Sequence, residues 1–128
     1  MKFQTIGNPN DSLIIMLPGS FCPSSGLNYL YEKLKDDYCI VLVEYNGHYE
    51  NSTFSSRQNE AKGIVEYIQK QNIHTIKMIY GQSMGAEIAI ELFKQLEKTN
   101  IDVDYCFLDG ASCIKLPYLY KKFMYFKF

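Results

Sequence analysis

The stretch IKMIYGQSMGAEIAI, residues 76–90, changes character at its centre. Its first five residues are mostly apolar, as in a buried strand. From Ala86 onward, small and apolar residues recur at the spacing of an amphipathic helix. Ser83 lies at the junction, and Gly81 and Gly85 stand two residues away on either side. We therefore predict a strand, a sharp turn that presents Ser83, and a helix.

Two interpretations of this turn stay open. In the first, Ser83 is a nucleophile, and N–H groups at the helix start stabilise the charge that forms on an attacked carbonyl oxygen. Glycines at 81 and 85 suit this role, because so sharp a turn leaves no room for neighbouring side chains. In the second, the turn is a glycine-rich loop, for instance one that binds phosphate. The sequence contains neither G-x-G-x-x-G nor G-x-x-x-x-G-K-[ST], which favours the nucleophile.

Short apolar runs and helical spacings alternate along the rest of the chain. Apolar runs at 13–17, 39–43 and 105–108 predict further buried strands, and residues 1–10 add a short first strand. Strands that alternate with helices pair in parallel through right-handed crossovers. The predicted fold class is therefore α/β, with a mostly parallel sheet flanked by helices. Two more helices are indicated by apolar spacing, one from Leu27, Leu30, Tyr31 and Leu34, and one from Ala61, Ile64, Val65 and Ile68.

Composition excludes several classes of protein. The 128 residues carry a formal net charge of -1, so no surface for nucleic acid is expected. No apolar run approaches ~18 residues, which excludes a membrane span, and the first residues lack a signal peptide. We therefore expect a cytoplasmic protein. Two of the four cysteines lie in apolar runs, where a thiol behaves as a small hydrophobe, and none has the spacing of a zinc or redox motif: Cys22, Cys39, Cys106 and Cys113.

The loop after the first buried run, LPGSFCPSSG at 17–26, is the second candidate element. In a parallel sheet it lies beside the Ser83 turn and can supply a backbone N–H to an oxyanion hole. Ser20 or Phe21 is the expected donor, with the Met84 N–H as the other. The alternative is a Pro-Gly turn that merely begins a helix. Cys22 has no neighbouring base, so we expect a buried or neutral thiol there rather than a nucleophile.

Four segments together resemble the α/β-hydrolase superfamily: LIIMLPGSF at 13–21, IVLVEYNGHYENS at 40–52, IKMIYGQSMGAEIAI at 76–90 and YCFLDGA at 105–111. They look like its oxyanion strand and loop, its Gly-His loop, its nucleophile elbow and the strand that follows. The chain departs from the pattern at Glu44, where the family often has Asp, and at Tyr49, where it has a second glycine. The resemblance implies a serine hydrolase that acts on a small-molecule acyl substrate, such as a carboxylic ester or thioester, without a metal or cofactor.

Ser83 needs a histidine base and an acid, which in this family follow the serine along the chain. Both histidines precede it. His74 comes before the third buried run, at the opposite end of the sheet. His48 lies at the correct end, where the resemblance gives it a loop-shaping role, and only geometry would make it a substitute base. Asp109, after the fourth run, is either the acid or a turn residue before Gly110.

The sequence therefore predicts the N-terminal half of a hydrolase, truncated after the strand that follows the nucleophile helix. Residues 1–112 form its core, and 113–128 have the apolar spacing of a helix that begins a lid. The last strand would present a bare edge, which favours self-association. A second hypothesis stays open: a binding or interaction module that keeps the fold without turnover, since the catalytic triad is incomplete.

Overall fold

The computed structural model describes residues 1–111. The helix that the sequence predicts within 113–128 lies outside these residues, as does Cys113. Strands and helices follow one another in the predicted order: β1 (Lys2–Ile6), β2 (Leu13–Leu17), a 3-10 turn (Ser24–Leu27), α1 (Asn28–Tyr31), β3 (Cys39–Glu44), α2 (Arg57–Lys70), β4 (Thr75–Gln82), α3 (Met84–Leu96) and β5 (Asp102–Asp109).

The five strands form one sheet in the order β1-β3-β2-β4-β5. β1 pairs with β3 in the antiparallel direction, and all other neighbours are parallel. β2 lies at the centre, where Ile15 pairs with Val41 of β3 and with Ile79 of β4. All residues of β2 are buried, because strands flank it and helical segments cover both of its faces. The prediction of a mostly parallel α/β sheet is confirmed.

Successive residues of β2 contact different layers of the molecule. Ile15 belongs to the apolar cluster that α2 and α3 cover. Ile14 and Met16 belong to the cluster beneath the 3-10 turn and α1. This alternation follows from the period of two with which strand side chains change direction. Cover on both faces explains why the sequence of β2 is apolar throughout.

Helix α1 is shorter than the apolar spacing over 27–34 predicts. Leu27 stands at its N-cap and offers no side-chain acceptor to the first N–H groups. After Tyr31 the chain continues in turns, in which the Leu34 N–H donates to the Tyr31 carbonyl at 3.1 Å. Leu30, Tyr31 and Leu34 are half-buried against the sheet, while Leu27 is fully buried. The predicted apolar face is therefore correct, although the segment is not one regular helix.

Helices α2 and α3 pack side by side on the other face of the sheet. Ser56 caps α2, because its hydroxyl accepts the Asn59 N–H at 3.1 Å. The Arg57 guanidinium contacts the Glu87 carboxylate at 2.6 Å and joins the first turns of the two helices. Within residues 1–111, no helix is long and apolar enough to cross a membrane. The buried apolar side chains on the sheet are Ala61, Ile64, Val65 and Ile68 of α2, and Ala86, Ile88, Ala89, Leu92 and Leu96 of α3.

Strand β5 is the least covered part of the sheet. It pairs with β4 on one side, and no other strand of residues 1–111 pairs with it. Tyr105 is 63% exposed and Phe107 is 58% exposed. Cys106 is exposed as well, so the buried thiol that its apolar run predicts is not found. Burial at the edge of a sheet depends on neighbouring elements, and within residues 1–111 β5 has a strand partner on one side only. Cys39, in the interior strand β3, is buried as predicted.

Candidate active site

Ser83 occupies the junction between β4 and α3. Its backbone has φ 52° and ψ -115°, a conformation that residues with a β-carbon rarely adopt. Ser83 is exposed, and its side chain makes no capping hydrogen bond to the helix that it precedes. Its carbonyl oxygen instead accepts the Ala86 N–H at 3.0 Å. The hydroxyl is therefore left available on a strained turn.

The two glycines around Ser83 are sterically required. A β-carbon on Gly81 would stand 2.5 Å from the Gly85 carbonyl oxygen, and one on Gly85 would stand 2.1 Å from the Leu17 carbonyl oxygen. Both distances lie far inside van der Waals contact, and both opposing atoms belong to the backbone. Leu17 of β2 is also the residue that pairs with Gly81 of β4. The glycines thus allow α3 to start directly against the end of β2.

The loop after β2 lies beside the serine. A β-carbon on Gly19 would come within 3.6 Å of the Ser83 β-carbon, so the loop and the turn are adjacent. The buried Tyr45 hydroxyl donates to the Pro18 carbonyl at 3.0 Å and fixes the start of the loop. Phe21 has a φ of 58° and is 93% exposed. The loop therefore lies directly beside the Ser83 turn, as the sequence predicts for a parallel sheet.

The same arrangement of strands, helices and turn occurs in solved structures. An alpha/beta hydrolase family protein from Desulfitobacterium hafniense matches with a TM-score of 0.85 at 22% identity, over 95% of this chain and 49% of that chain. A carboxylesterase structure from Nitrososphaera gargenis matches with a TM-score of 0.80 at 16% identity, over 98% and 46%. An esterase from Exiguobacterium antarcticum matches with a TM-score of 0.71 at 25% identity, over 87% and 41%. The chain has an α/β-hydrolase-like fold.

The chain matches only part of each of these solved structures. The chain spans less than half the length of each of the three structures. Neither a protein-family model nor a curated protein sequence matches it. The resemblance that the sequence motifs predict is thus confirmed at the level of the fold.

Within the hydrolase-like fold, Asp109 ends β5 directly beside the Ser83 turn. Its carbonyl oxygen accepts the Ser83 N–H at 2.7 Å, and its carboxylate Oδ2 accepts the Tyr80 hydroxyl at 3.0 Å. Burial raises the pKa of Tyr80, and the hydrogen bond to Asp109 raises it further. The phenol therefore keeps its proton and remains a donor. The sequence identified Asp109 but not Tyr80, whose place in an apolar strand offered no signal.

His48 lies in the loop after β3, and the described contacts of its side chain are with aromatic rings. The ring centroids of His48 and Tyr45 are 5.4 Å apart, and those of His48 and Phe21 are 6.1 Å apart. Its Nδ1 atom is buried without a hydrogen-bond partner in residues 1–111. These contacts fit the predicted role of shaping the loop. Cys22 lines a cleft of about 260 Å³ with His48 and is exposed, so of the two predicted alternatives, a buried or a neutral thiol, the buried one is wrong.

His74 lies at the opposite end of the sheet, as predicted. It is exposed, and its carbonyl oxygen accepts the Asp102 N–H at 2.9 Å where β5 begins. With Asp11 and Thr75, it lines a cavity of about 580 Å³ at the amino ends of the central strands. Ligands of open parallel sheets bind at the carboxyl ends of the strands, where Ser83 is. This cavity is therefore separate from the candidate active site.

Glu60 is a buried carboxylate that sequence analysis did not identify. It is 1% exposed, and its oxygens accept the backbone N–H and the side-chain amide of Asn46 at 3.2 and 3.0 Å. These bonds tie α2 to the loop that carries His48. Burial raises the pKa of Tyr45 well above its ordinary value, and the charge of Glu60 adds to that effect. A signal existed, since Glu60 precedes the core residue Ile64 by one helical turn.

Proposed function

We propose that this chain carries the nucleophile elbow and the oxyanion loop of a serine hydrolase that acts on carboxylic esters, thioesters or related acyl compounds. Ser83 carries the proposal, because its exposed hydroxyl is unused for capping and stands on a strained turn between a buried strand and a helix. Such strain persists only where the surrounding structure enforces it, and it clusters at functional sites.

In the proposed reaction, the Ser83 Oγ attacks the acyl carbon of a small-molecule substrate. The N–H groups of Met84 and of Ser20 or Phe21 donate to the oxyanion that forms. Met84 is the first residue of α3, so its N–H is one of those that have no partner within the helix. A base takes the proton of the Ser83 hydroxyl and passes it to the alcohol or thiol that leaves as the acyl C–O or C–S bond breaks, and water then releases the acid from the acyl-serine.

The proposed substrate class is supported by the fold comparison, in which two of the matching proteins are named as a carboxylesterase and an esterase. Ser83 still needs a base. We propose that a histidine supplies this base, as in the hydrolases whose motifs the chain resembles; the chain spans less than half of each matching structure. Asp109 is a candidate acid by its position beside Ser83.

A second candidate function is a binding or interaction module that keeps the fold without turnover. The placement of the histidines favours it, since His48 packs against aromatic rings and His74 lies at the far end of the sheet. Without a base, the oxyanion hole and substrate binding leave only about 10³–10⁴-fold acceleration over water. These 128 residues alone are therefore expected to hydrolyse acyl substrates slowly.

Labelling with a fluorophosphonate probe, mapped by peptide mass spectrometry, tests the assignment. Ser83→Ala should abolish labelling of the wild-type site. Ser12→Ala is the matched control, because Ser12 is exposed at the other end of β2 and its loss should change nothing. Labelling that survives in Ser83→Ala would contradict the assignment of Ser83 as the nucleophile. A folded wild-type chain that takes no label would favour the binding module.

A further inference from the structure

We propose that Tyr80 and Asp109 act as a positioning pair that holds the Ser83 turn in its strained conformation. The purpose of the pair rests on the proposed function, whereas its contacts do not depend on whether Ser83 reacts. Neither side chain is assigned a contact with substrate. The proposal thus concerns how the turn is kept in place, and it changes the role expected of Asp109.

The first contact of the pair runs through the backbone. Gln82, the last residue of β4, lies opposite Asp109 of β5, and the N–H of the next residue, Ser83, donates to the Asp109 carbonyl oxygen at 2.7 Å. Hydrogen bonding between the two strands therefore extends one residue into the turn. A residue with the φ of Ser83 keeps that conformation only where neighbouring contacts enforce it. This bond to Asp109 is one of those contacts.

The second contact fixes the residue that accepts this bond. The Tyr80 hydroxyl donates to Asp109 Oδ2 at 3.0 Å. Tyr80 is 6% exposed and belongs to the apolar cluster that includes Ile14 and Met16. The Phe107 ring stacks on it with 5.8 Å between centroids. Tyr80 is therefore a well-fixed donor that holds the Asp109 side chain against the sheet.

The end of β5 has few other supports among the described residues. β5 is an edge strand there, with β4 as its one partner, and strand ends at an edge open more readily than central strands. Gly110 follows Asp109 with a φ of 72°, and a β-carbon on it would meet no atom within 4 Å. Among the described residues, the Tyr80 hydroxyl is thus the side-chain contact that holds Asp109 where its carbonyl oxygen accepts the Ser83 N–H.

A positioning role for Asp109 differs from that of a triad acid in a testable way. An acid must carry a charge that stabilises a histidine, whereas a positioning residue needs only an oxygen that accepts the Tyr80 hydroxyl. Asparagine keeps such an oxygen and removes the charge. Asp109→Asn therefore separates the two roles. Tyr80→Phe removes the donor and retains the buried ring.

Amide hydrogen exchange followed by NMR on the whole chain tests the pair. The Ser83 N–H reports on the turn, and the Asp102 N–H, bonded to the His74 carbonyl at 2.9 Å, is a control at the other end of the same strand pair. In Tyr80→Phe and Asp109→Ala, we expect Ser83 to exchange about 5- to 10-fold faster, with Asp102 unchanged. In Asp109→Asn, both amides should exchange as in the wild type.

Two exchange results would overturn the proposal. One is an unchanged Ser83 amide in Tyr80→Phe. The other is an equal acceleration at Ser83 and Asp102, which would indicate a general loosening of the strand pair rather than a local effect on the turn. The substitutions leave residues 82 and 83 intact, so the intrinsic exchange rate of the Ser83 amide is the same in every variant.

Fluorophosphonate labelling of the same variants keeps this proposal distinct from the proposed function. Slower labelling in Tyr80→Phe with labelling retained in Asp109→Asn supports the pair. Labelling lost in Asp109→Asn would mean that Ser83 depends on the charge of Asp109 and not only on an oxygen that accepts the Tyr80 hydroxyl, which would overturn the positioning role. If the wild-type chain takes no label, the proposed function fails, and the exchange rates alone decide whether the pair holds the turn.

Discussion

Gly85 lies so close to the end of β2 that a β-carbon on it would stand 2.1 Å from the carbonyl oxygen of Leu17. Leu17 is fully buried and pairs with Gly81 in the sheet, so it cannot move aside without disturbing the central strands. This contact joins the start of α3 to β2. It thereby sets the position of Ser83 relative to the loop that follows β2.

The first prediction concerns this contact. Gly85→Ala should lower the free energy of unfolding by about 3 kcal/mol or more, because the added carbon meets backbone atoms that have no room to relax. Gly26→Ala is the control, since a β-carbon there meets nothing within 4 Å, and it should change stability by less than about 1 kcal/mol. Urea unfolding measures both variants. A folded Gly85→Ala protein of wild-type stability would contradict the close contact.

The second prediction concerns the strain at Ser83. Ser83→Gly and Ser83→Ala both remove the hydroxyl, but only glycine adopts a φ of 52° without steric cost. We expect the glycine variant to be more stable than the alanine variant by about 1 kcal/mol, even though glycine makes the unfolded chain more flexible. Thermal or urea unfolding of the two variants side by side gives the difference. The reverse order of stability would mean that the turn is unstrained.

The third prediction concerns Tyr45 and alkaline pH. At pH 7, Tyr45→Phe should cost about 1 kcal/mol, because the hydrogen bond to the Pro18 carbonyl is lost. Burial, and then the charge of Glu60, raise the pKa of Tyr45 in the folded chain. The unfolded chain therefore loses this proton first, near pH 10, and wild-type stability should fall as the pH rises above that value.

Tyr45→Phe lacks this ionisable group, so its stability deficit should shrink as the pH rises past about 10. Urea unfolding of both proteins between neutral and alkaline pH measures the deficit, and effects of other groups cancel in the difference. A deficit that stays constant over the whole range would contradict the burial of the Tyr45 phenol.

The fourth prediction concerns the edge of the sheet. We propose that the chain self-associates through β5, whose apolar side chains are exposed and which has no second strand partner in residues 1–111. Sedimentation velocity should show a dimer whose fraction increases with protein concentration. Tyr105→Glu should weaken it, and Lys77, whose amine lies 5.2 Å from the Tyr105 ring centroid, can pair with the new carboxylate.

The control for the edge is Tyr29→Glu, since Tyr29 is an exposed aromatic residue on α1 rather than on β5. It should leave association unchanged. Two results would contradict the assignment of β5 as the interface. One is a monomer at every protein concentration, and the other is that Tyr105→Glu and Tyr29→Glu weaken association equally.

The elements that carry the candidate site could be predicted because their requirements are local. Gly81, Ser83 and Gly85 fall within one turn, and the need for small residues there follows from the geometry of a strand that leads into a helix. The contact of Tyr80 with Asp109 could not be predicted, because 29 positions separate the two residues. Only the pairing of β4 with β5 brings them together.

The sequence by itself determined the α/β class, the order of strands and helices, and the turn at Ser83, because apolar periodicity and the steric needs of glycine act over a few neighbouring residues. Tertiary structure alone decided which apolar runs are buried. The run in β2 is covered on every side, whereas the run in β5 is largely exposed. Burial depends on what packs against a strand, and strand register, which places the Asp109 carbonyl at the Ser83 N–H, depends on partners that are distant in the chain.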